Sequence, residues 1–560
     1  MTSQLAPSSL PAHGGSATDR GPALISLEWL RVQLIVRIDP GGGSLDASRL
    51  RLARPDRPPM PPTRVSRAGG VLCARFNVIQ GPDQRPLEEG RWTLAQASDR
   101  GSAVPLELRF PADMRPTFQA LQIPLGARTY VVTPSRAGAT LDVGVELRPD
   151  GAAAAPPRGS GRAARRRIVR RLWVRALVSS LRLLRFVARP GRRDIVFVTE
   201  LSTGLTGNLA AIHERMVERG LDRSHGLRIV SRPSPSARWR PADLVRLPWW
   251  LARAATIVTD GHIELVQAAS WYVRTVEVWH AYGAFKLMGY SLVGRPGELS
   301  PYSRAYKGYA AVTVGSDADV PVYAEAFGLP EERIHPTGIP RVDRFFDPAG
   351  REAAIQRARA AVPESIGRRT ILLAPTYRGS VRDARYDTGR LDWQAIHQLC
   401  LEQDATFIVR PHPFVRGPLD IPPSLGDRIV DGRGLGVDTN DLLLVVDLLI
   451  TDYSSVIYEF STLNRPMLFF AYDLEAYAAE RGFYEPYEGF VPGRIVRTCE
   501  ELVDAIRRND CQVEKVRPFA LRHVGGTDGR STNRVVDLIT LTEAPGRAPD
   551  DPFCAVPTPR

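Results

Sequence analysis

Between Asp194 and about residue 540, short apolar runs alternate with stretches of helical pattern, and this rhythm constrains the fold more than any other feature of the chain. DIVFVTE, GLRIVSR, ATIVTDG and TVEVWH read as strands, with GNLAAIHERMVERG as a helix after the first. A helical region at about 351–361 interrupts them, and RTILLAPTYR, ATFIVRPHP, LLLVVDLLITDYSS and PMLFFAYD resume the pattern. Strands apolar throughout rather than on alternate residues belong to parallel sheets covered on both faces. The expected fold class is α/β, GT-B-like: two Rossmann-type domains, 194–345 and 346–540, facing a cleft. In such sheets ligands sit at the carboxyl ends of the strands.

The residues following each predicted strand therefore carry the chemistry. After VEVW come His280 and then AYGAFKLMG, which holds Lys286. After ILLA come Pro375, Thr376, Tyr377 and Arg378; after FIV come Arg410, Pro411, His412 and Pro413. After LLI come Thr451, Asp452, Tyr453, Ser454 and Ser455, directly before a helical pattern containing Glu459. Taken alone, Asp452 and the serines would be helix caps, accepting from the orphan amides of a first turn. The same amides and the helix dipole also favour phosphate. Two histidines, two arginines, a lysine and a serine pair at strand ends make a phosphate-handling cleft the better reading.

The rest of the chain is less informative. A length of 560 residues calls for several domains. Residues 1–21 and 541–560 have the composition of disordered tails. Residues 22–150 alternate as a small β-rich, sandwich-like domain. Residues 151–193 contain no acid and read as a linker and a basic amphipathic helix. Arg167, Arg171, Arg175, Arg182, Arg185 and Arg189 share one face of that helix; Val169, Trp173, Ala176, Leu184 and Val187 lie opposite. Such a helix suits an anionic membrane surface, lying flat; the other reading packs it on the protein's own core. The net charge of +13 points to an anionic partner, but no nucleic-acid-binding signature accompanies it, so nucleic acid is not expected. The N-terminal residues lack the form of a signal peptide, and no apolar stretch is long enough to span a bilayer. Five scattered cysteines, Cys73, Cys400, Cys499, Cys511 and Cys554, fit a reducing compartment and suggest neither a disulfide framework nor a zinc site. Asp317-Ala318-Asp319 has the form of a metal-binding DxD but opens a helical pattern, where capping is the better reading. No metal or other cofactor is expected.

From Asp194 to Gly493 the chain resembles the CDP-glycerol:polyglycerophosphate glycerophosphotransferases, enzymes of teichoic-acid synthesis. The resemblance is carried in order by TGNLAAIHERM, VEVWHAYGAFKLMGYS, TGIPRVDRFF, ILLAPTYRG, IVRPHP, LLLVVDLLITDYSSVIYEF, RPMLFFAYDLEAYAAERGFY and VPG. It implies a CDP-activated polyol phosphate donor, CDP-glycerol before CDP-ribitol. It also implies a hydroxyl acceptor on a lipid-linked saccharide or growing polymer, and a place at the cytoplasmic face of the membrane. His280, in the family's histidine motif, is expected to be the general base, and His412 to bind the pyrophosphate and protonate the leaving phosphate; the opposite allocation stays open. Thr376, Arg378 and Arg410 are expected at the donor phosphates, and Ser454 and Ser455 around the pyrophosphate, with Thr451 beside them. Asp452 would orient that loop, Glu459 would accept from ribose hydroxyls, and Lys286 would screen charge on the acceptor side. Two other functions share these features: a GT-B glycosyltransferase using a nucleotide-sugar, and a non-catalytic membrane-bound scaffold for envelope polymer assembly.

Overall fold

The computed structural model describes residues 21–149 and 194–540, together with Leu181, Leu183, Leu184 and Phe186. Within those ranges, 43–44, 82–83, 99–101, 113, 115–116, 126–127, 201, 233–240, 294, 296–298, 380–382 and 416 are excepted. The expected disordered tails, the linker and nearly all of the basic helix lie outside the described residues.

The described residues form two compact units, one from 21 to 149 with Leu299–Ser303 and the other comprising the rest. The first is all β. A four-stranded antiparallel sheet runs in the order Ala23–Leu30, Gln33–Asp39, Val71–Asn77, Arg64–Ala68. A seven-stranded antiparallel sheet is built around Gly90–Ala97, Thr140–Pro149 and Arg128–Ala137. Alternation decides which face is covered: Leu34, Val36 and Ile38 are fully buried while Arg37 and Asp39 point away.

The second unit holds two parallel six-stranded sheets. Strands β1 (Asp194–Thr199), β2 (Gly226–Ser231), β3 (Thr256–Thr259), β4 (Arg274–Glu277), β5 (Ala311–Val314) and β6 (Ile334–Pro336) pair in the order β2-β1-β3-β4-β5-β6. Strands β7 (Arg369–Leu373), β8 (Ala405–Val409), β9 (Ile429–Asp431), β10 (Leu448–Thr451), β11 (Met467–Phe470) and β12 (Arg494–Val496) pair as β9-β8-β7-β10-β11-β12. That second order reverses direction between β7 and β10, so the loops after these two strands border the topological switch point, where doubly wound sheets bind ligands. The apolar run LLLVVDLLI is not one strand. Its first part ends a short helix, Thr439–Leu443, and only Leu448–Thr451 enters the sheet. Asp447 marks the entry, its carboxylate accepting from the Thr370 amide at 2.8 Å.

The halves are not separate bodies in sequence or in packing. Helix α1 (Gly207–Glu218) covers the first sheet, and helix α2 (Val456–Ser461) follows β10. The final helix α3 (Ser531–Thr540) crosses back, so that Val535, Val536 and Ile539 share a core with Ile195, Phe197, Leu209 and Val276 of the first half. Tyr282, Phe285 and Val342 of the first half lie in one core with Leu449, Tyr453 and Phe460 of the second. The segment after His280 is laid directly onto the second half. Leu287 donates to the Gly482 carbonyl and Tyr484 to the Phe285 carbonyl, each at 3.1 Å, and the Phe285 ring stacks on Phe483 and Phe490. Gly283 makes this crossing possible. It has φ +80°, and a Cβ there would sit 1.9 Å from the Tyr458 ring, a position and a backbone only glycine tolerates.

A buried ion pair closes the joint. Arg341, just after β6, pairs with Glu459 of α2, their side chains 13% and 3% exposed. Removing one partner of such a pair leaves an uncompensated buried charge. Glu459→Gln should therefore lower the unfolding free energy by about 3–5 kcal/mol, read as a fall in the urea midpoint at unchanged slope.

Candidate functional site

His280 lies just past the end of β4, on a surface open to solvent but walled by protein. Its Nδ1 is 2.8 Å from the Asp260 carbonyl oxygen. A carbonyl only accepts, so Nδ1 carries the proton and the neutral ring presents a lone pair at Nε2. Desolvation by the walls holds the imidazole below its usual range, against the hydrogen bond to Asp260, and Arg341 and Lys286 push it lower. Asp260 itself directly follows β3; burial raises its carboxyl to about 6 in spite of the 3.1 Å hydrogen bond from Thr199.

His412 follows β8 and is oriented the opposite way. Its Nδ1 accepts from the Phe414 amide at 3.2 Å, so the neutral ring carries its proton at Nε2. Tyr377 and Phe414 enclose the ring, with centroids 4.9 and 4.5 Å away. Burial lowers its pKa to about 4, with Lys286 and His280 contributing. The fold has thus brought both imidazoles and Lys286 within each other's electrostatic reach from opposite halves.

Lys286 lies on the strap that crosses between the halves, bridged to Phe483. Its ammonium makes no hydrogen bond or ion-pair contact among the described residues. Burial lowers it to about 8, Asp452 opposing and Arg481 and Arg378 assisting. Ser454 and Ser455 stand at the tip of β10, both partly exposed. Ser454 Oγ accepts from the Val456 amide at 3.3 Å, while the Ser455 side chain forms no cap. The amides of Ser454 and Ser455 donate to no acceptor among the described residues. One cation and two backbone donors without partners, beside a histidine whose Nε2 also donates, form a place suited to a polyanion.

Several expected donor contacts are engaged elsewhere, and the reasons are local. Arg378 grips Asp473 with Nε at 2.6 Å and Nη2 at 2.8 Å, and Nη1 reaches Asp452 at 3.0 Å and the Thr376 carbonyl at 2.6 Å. Three tyrosine rings, Tyr453, Tyr472 and Tyr477, lie against it. Arg410 donates to Thr439 Oγ1 and to the Gly432 and Val437 carbonyls. Both guanidiniums therefore brace loops. Thr451 is fully buried, its hydroxyl donating to the Ala374 carbonyl at 2.7 Å. Glu459 is turned to Arg341 and shut from solvent. Thr376 gives its amide to Asp452 at 2.7 Å, and its hydroxyl is closed from water without a partner. Asp452, 1% exposed, accepts from the Thr376 and Tyr453 amides and from Arg378, binding the β7 and β10 loops into one piece. Asp317-Ala318-Asp319 does open a helix, Val320–Phe327, but Asp319 makes no side-chain cap and is fully buried. Among the described residues, no group of three or more His, Cys, Asp or Glu side chains is placed to hold a metal ion.

Sequence reasoning passed over Arg341 and Asp260. Arg341 donates from Nη1 to the His280 carbonyl at 2.8 Å while pairing with Glu459. Its place in TGIPRVDRFF was the signal available. Asp260 ends the predicted strand ATIVTDG as His280 ends TVEVWH, and that parallel was readable.

Known proteins resemble this chain in sequence and fold. Residues 182–541 match the family described as CDP-Glycerol:Poly(glycerophosphate) glycerophosphotransferase. Teichoic acid ribitol-phosphate polymerase TarL of Staphylococcus aureus is 37% identical over 345 residues, 61% of this chain and 61% of TarL. The chain thus spans about three-fifths of that relative's length. Teichoic acid glycerol-phosphate primase of Bacillus subtilis is 29% identical over 309 residues, 53% of this chain and 77% of the primase. Among solved structures, the wall teichoic acid polymerase TagF aligns with a TM-score of 0.52 at 21% identity, covering 67% of this chain and 95% of TagF; that likeness concerns the fold. With the family match covering more than half of its length, the chain belongs to the CDP-glycerol:poly(glycerophosphate) glycerophosphotransferase family.

Proposed function

We propose that this protein transfers a polyol phosphate from a CDP-polyol to a hydroxyl of a lipid-linked saccharide or growing teichoic-acid-type polymer, releasing CMP. The observation that carries the reading is the opposed pair of tautomers: a lone pair at His280 Nε2 and a proton at His412 Nε2, on facing halves of one site. His280 takes the proton of the acceptor hydroxyl as its oxygen attacks the distal phosphorus. The bond from that phosphorus to the bridging oxygen breaks, and CMP leaves with that oxygen. His412, neutral because of its depressed pKa, hydrogen-bonds the departing phosphate from Nε2. Lys286 supplies positive charge, and the Ser454 and Ser455 amides hold phosphate oxygens at the β10 tip. Arg378, Arg410, Thr451 and Asp452 keep the loops in place, and Glu459 acts through Arg341. Ribitol phosphate is favoured over the glycerol phosphate first expected, because the identity to TarL exceeds that to the glycerol-phosphate primase.

Purified protein given CDP-ribitol, CDP-glycerol or a UDP-sugar with a lipid-linked acceptor should release CMP from a CDP-polyol, with CDP-ribitol the better donor. Mass spectrometry should find phosphodiester-linked product. UDP release would instead identify a glycosyltransferase, and release of neither nucleotide a scaffold. His280→Ala should cut kcat about 10²–10⁴-fold while donor affinity persists; His412→Ala should weaken donor binding as well.

The pH dependence follows from two shifts. His280 is held below the usual imidazole range, so the base stays neutral and competent well into mild acid. Lys286 is cationic below about 8 and loses its charge above it, so the donor KM should rise as pH passes through that value. Lys286→Arg should move this alkaline limb upward, because a guanidinium does not titrate there.

A peripheral place on the membrane is supported by the arginine face read from Arg167 to Arg189. Leu183 and Phe186, 66% and 86% exposed, add apolar surface to the same segment. The protein should co-sediment with anionic vesicles and not with neutral ones, and salt should release it.

A further inference from the structure

Trp279, directly before His280, has φ +43°. A bulky aromatic residue in the left-handed region is strained by about 1–3 kcal/mol and persists only where its surroundings over-determine it. Here each side of the residue is held. Its amide donates to Glu277 Oε1 at 3.0 Å. Its carbonyl accepts from Asn208 Nδ2 at 2.8 Å. Asn208 is itself fixed, its Oδ1 accepting the Arg341 amide at 3.2 Å. Both holding side chains are buried: Glu277 is fully enclosed and Asn208 is 3% exposed. Without the left-handed turn, the chain leaving β4 would continue extended and the imidazole of His280 would swing away from the Asp260 carbonyl that sets its tautomer.

We propose that Glu277 and Asn208 are positioning residues that hold Trp279 in its left-handed turn and so aim His280 Nε2 at the acceptor hydroxyl. Neither touches the reacting atoms. The work asked of Glu277 is to accept the Trp279 amide in the interior, which the carbonyl oxygen of a neutral carboxyl also does. Its surroundings favour the neutral form, because burial raises its pKa well above the usual range and the nearby Asp260 raises it further. The inference rests on His280 being the base, and its test is arranged so that the two can fail separately.

The full chain should be compared with Glu277→Ala, Glu277→Gln and Asn208→Ala for kcat, for donor KM, and for the tautomer of His280 by ring-nitrogen NMR. Misplacing a catalytic group by about 1 Å costs about 10²-fold, so Glu277→Ala and Asn208→Ala should lose about that much kcat at an unchanged donor KM. In both, the Nδ1-protonated signature of His280 should give way to a mixture. Glu277→Gln, whose amide oxygen accepts the same hydrogen bond, should keep kcat within about threefold of the parent and the parent's tautomer. The clamp is overturned if Glu277→Ala keeps both kcat and tautomer, if Glu277→Gln fails as badly as Glu277→Ala, or if kcat and donor KM collapse together. A parent that releases no CMP from either CDP-polyol sinks the reaction instead, and the ring-nitrogen signal still decides the clamp.

Discussion

One buried guanidinium joins the working parts of this molecule. Arg341 holds the main chain of His280 with one nitrogen and the carboxylate of Glu459 with another. Glu459 belongs to the helix whose first turn carries the Ser454–Ser455 tip. The proposed base of one half and the proposed anion-binding tip of the other are therefore referred to the same rigid plane of atoms. An ion pair in a protein interior is a weak source of net stability, because desolvation offsets most of the attraction. Its value here is geometric: a planar fork with directional donors fixes angles that an apolar contact would leave soft.

The same crowding that fixes the geometry governs the charges. Lys286, His280 and His412 all have depressed proton affinity, with desolvation first among the causes and mutual repulsion among the rest. A cluster of three strong cations in one place would be costly to assemble without an anion present. By keeping both imidazoles neutral the fold avoids that cost while retaining one donor, one lone pair and one titratable ammonium. Arg378 and Arg410 are paired with carboxylates or spent on carbonyls, so their main work is to stiffen the loops.

Much of this was readable in the chain of residues alone. Strand-end placement put His280, His412, Lys286 and the serine pair at the edge where the structure has them, because a parallel sheet presents the loops at the carboxyl ends of its strands along one edge. It did not foretell the protein partners of Arg378, Arg410, Thr451 and Glu459, which also lie at strand ends or begin helices. Sequence position gives the end of an element but not the direction of a side chain, and arginines at strand ends often serve carbonyls left over by the turn. LLLVVDLLI misled for a related reason, since a continuous apolar run does not distinguish a buried helix from a buried strand. The Arg341–Glu459 pair spans more than a hundred residues, and nothing local announces it. The positive φ of Trp279 is equally silent, since tryptophan has no propensity for it.

The return of the last helix bears on how the chain reaches this state. Val535, Val536 and Ile539 complete the core around β1, more than three hundred residues earlier. During synthesis the first sheet therefore waits, one apolar flank uncovered, until Ser531–Thr540 has left the ribosome. Such long loop closure slows folding and prolongs exposure of sticky surface. The expected result is a protein that leans on chaperones early and gains its cooperativity only once that helix has docked.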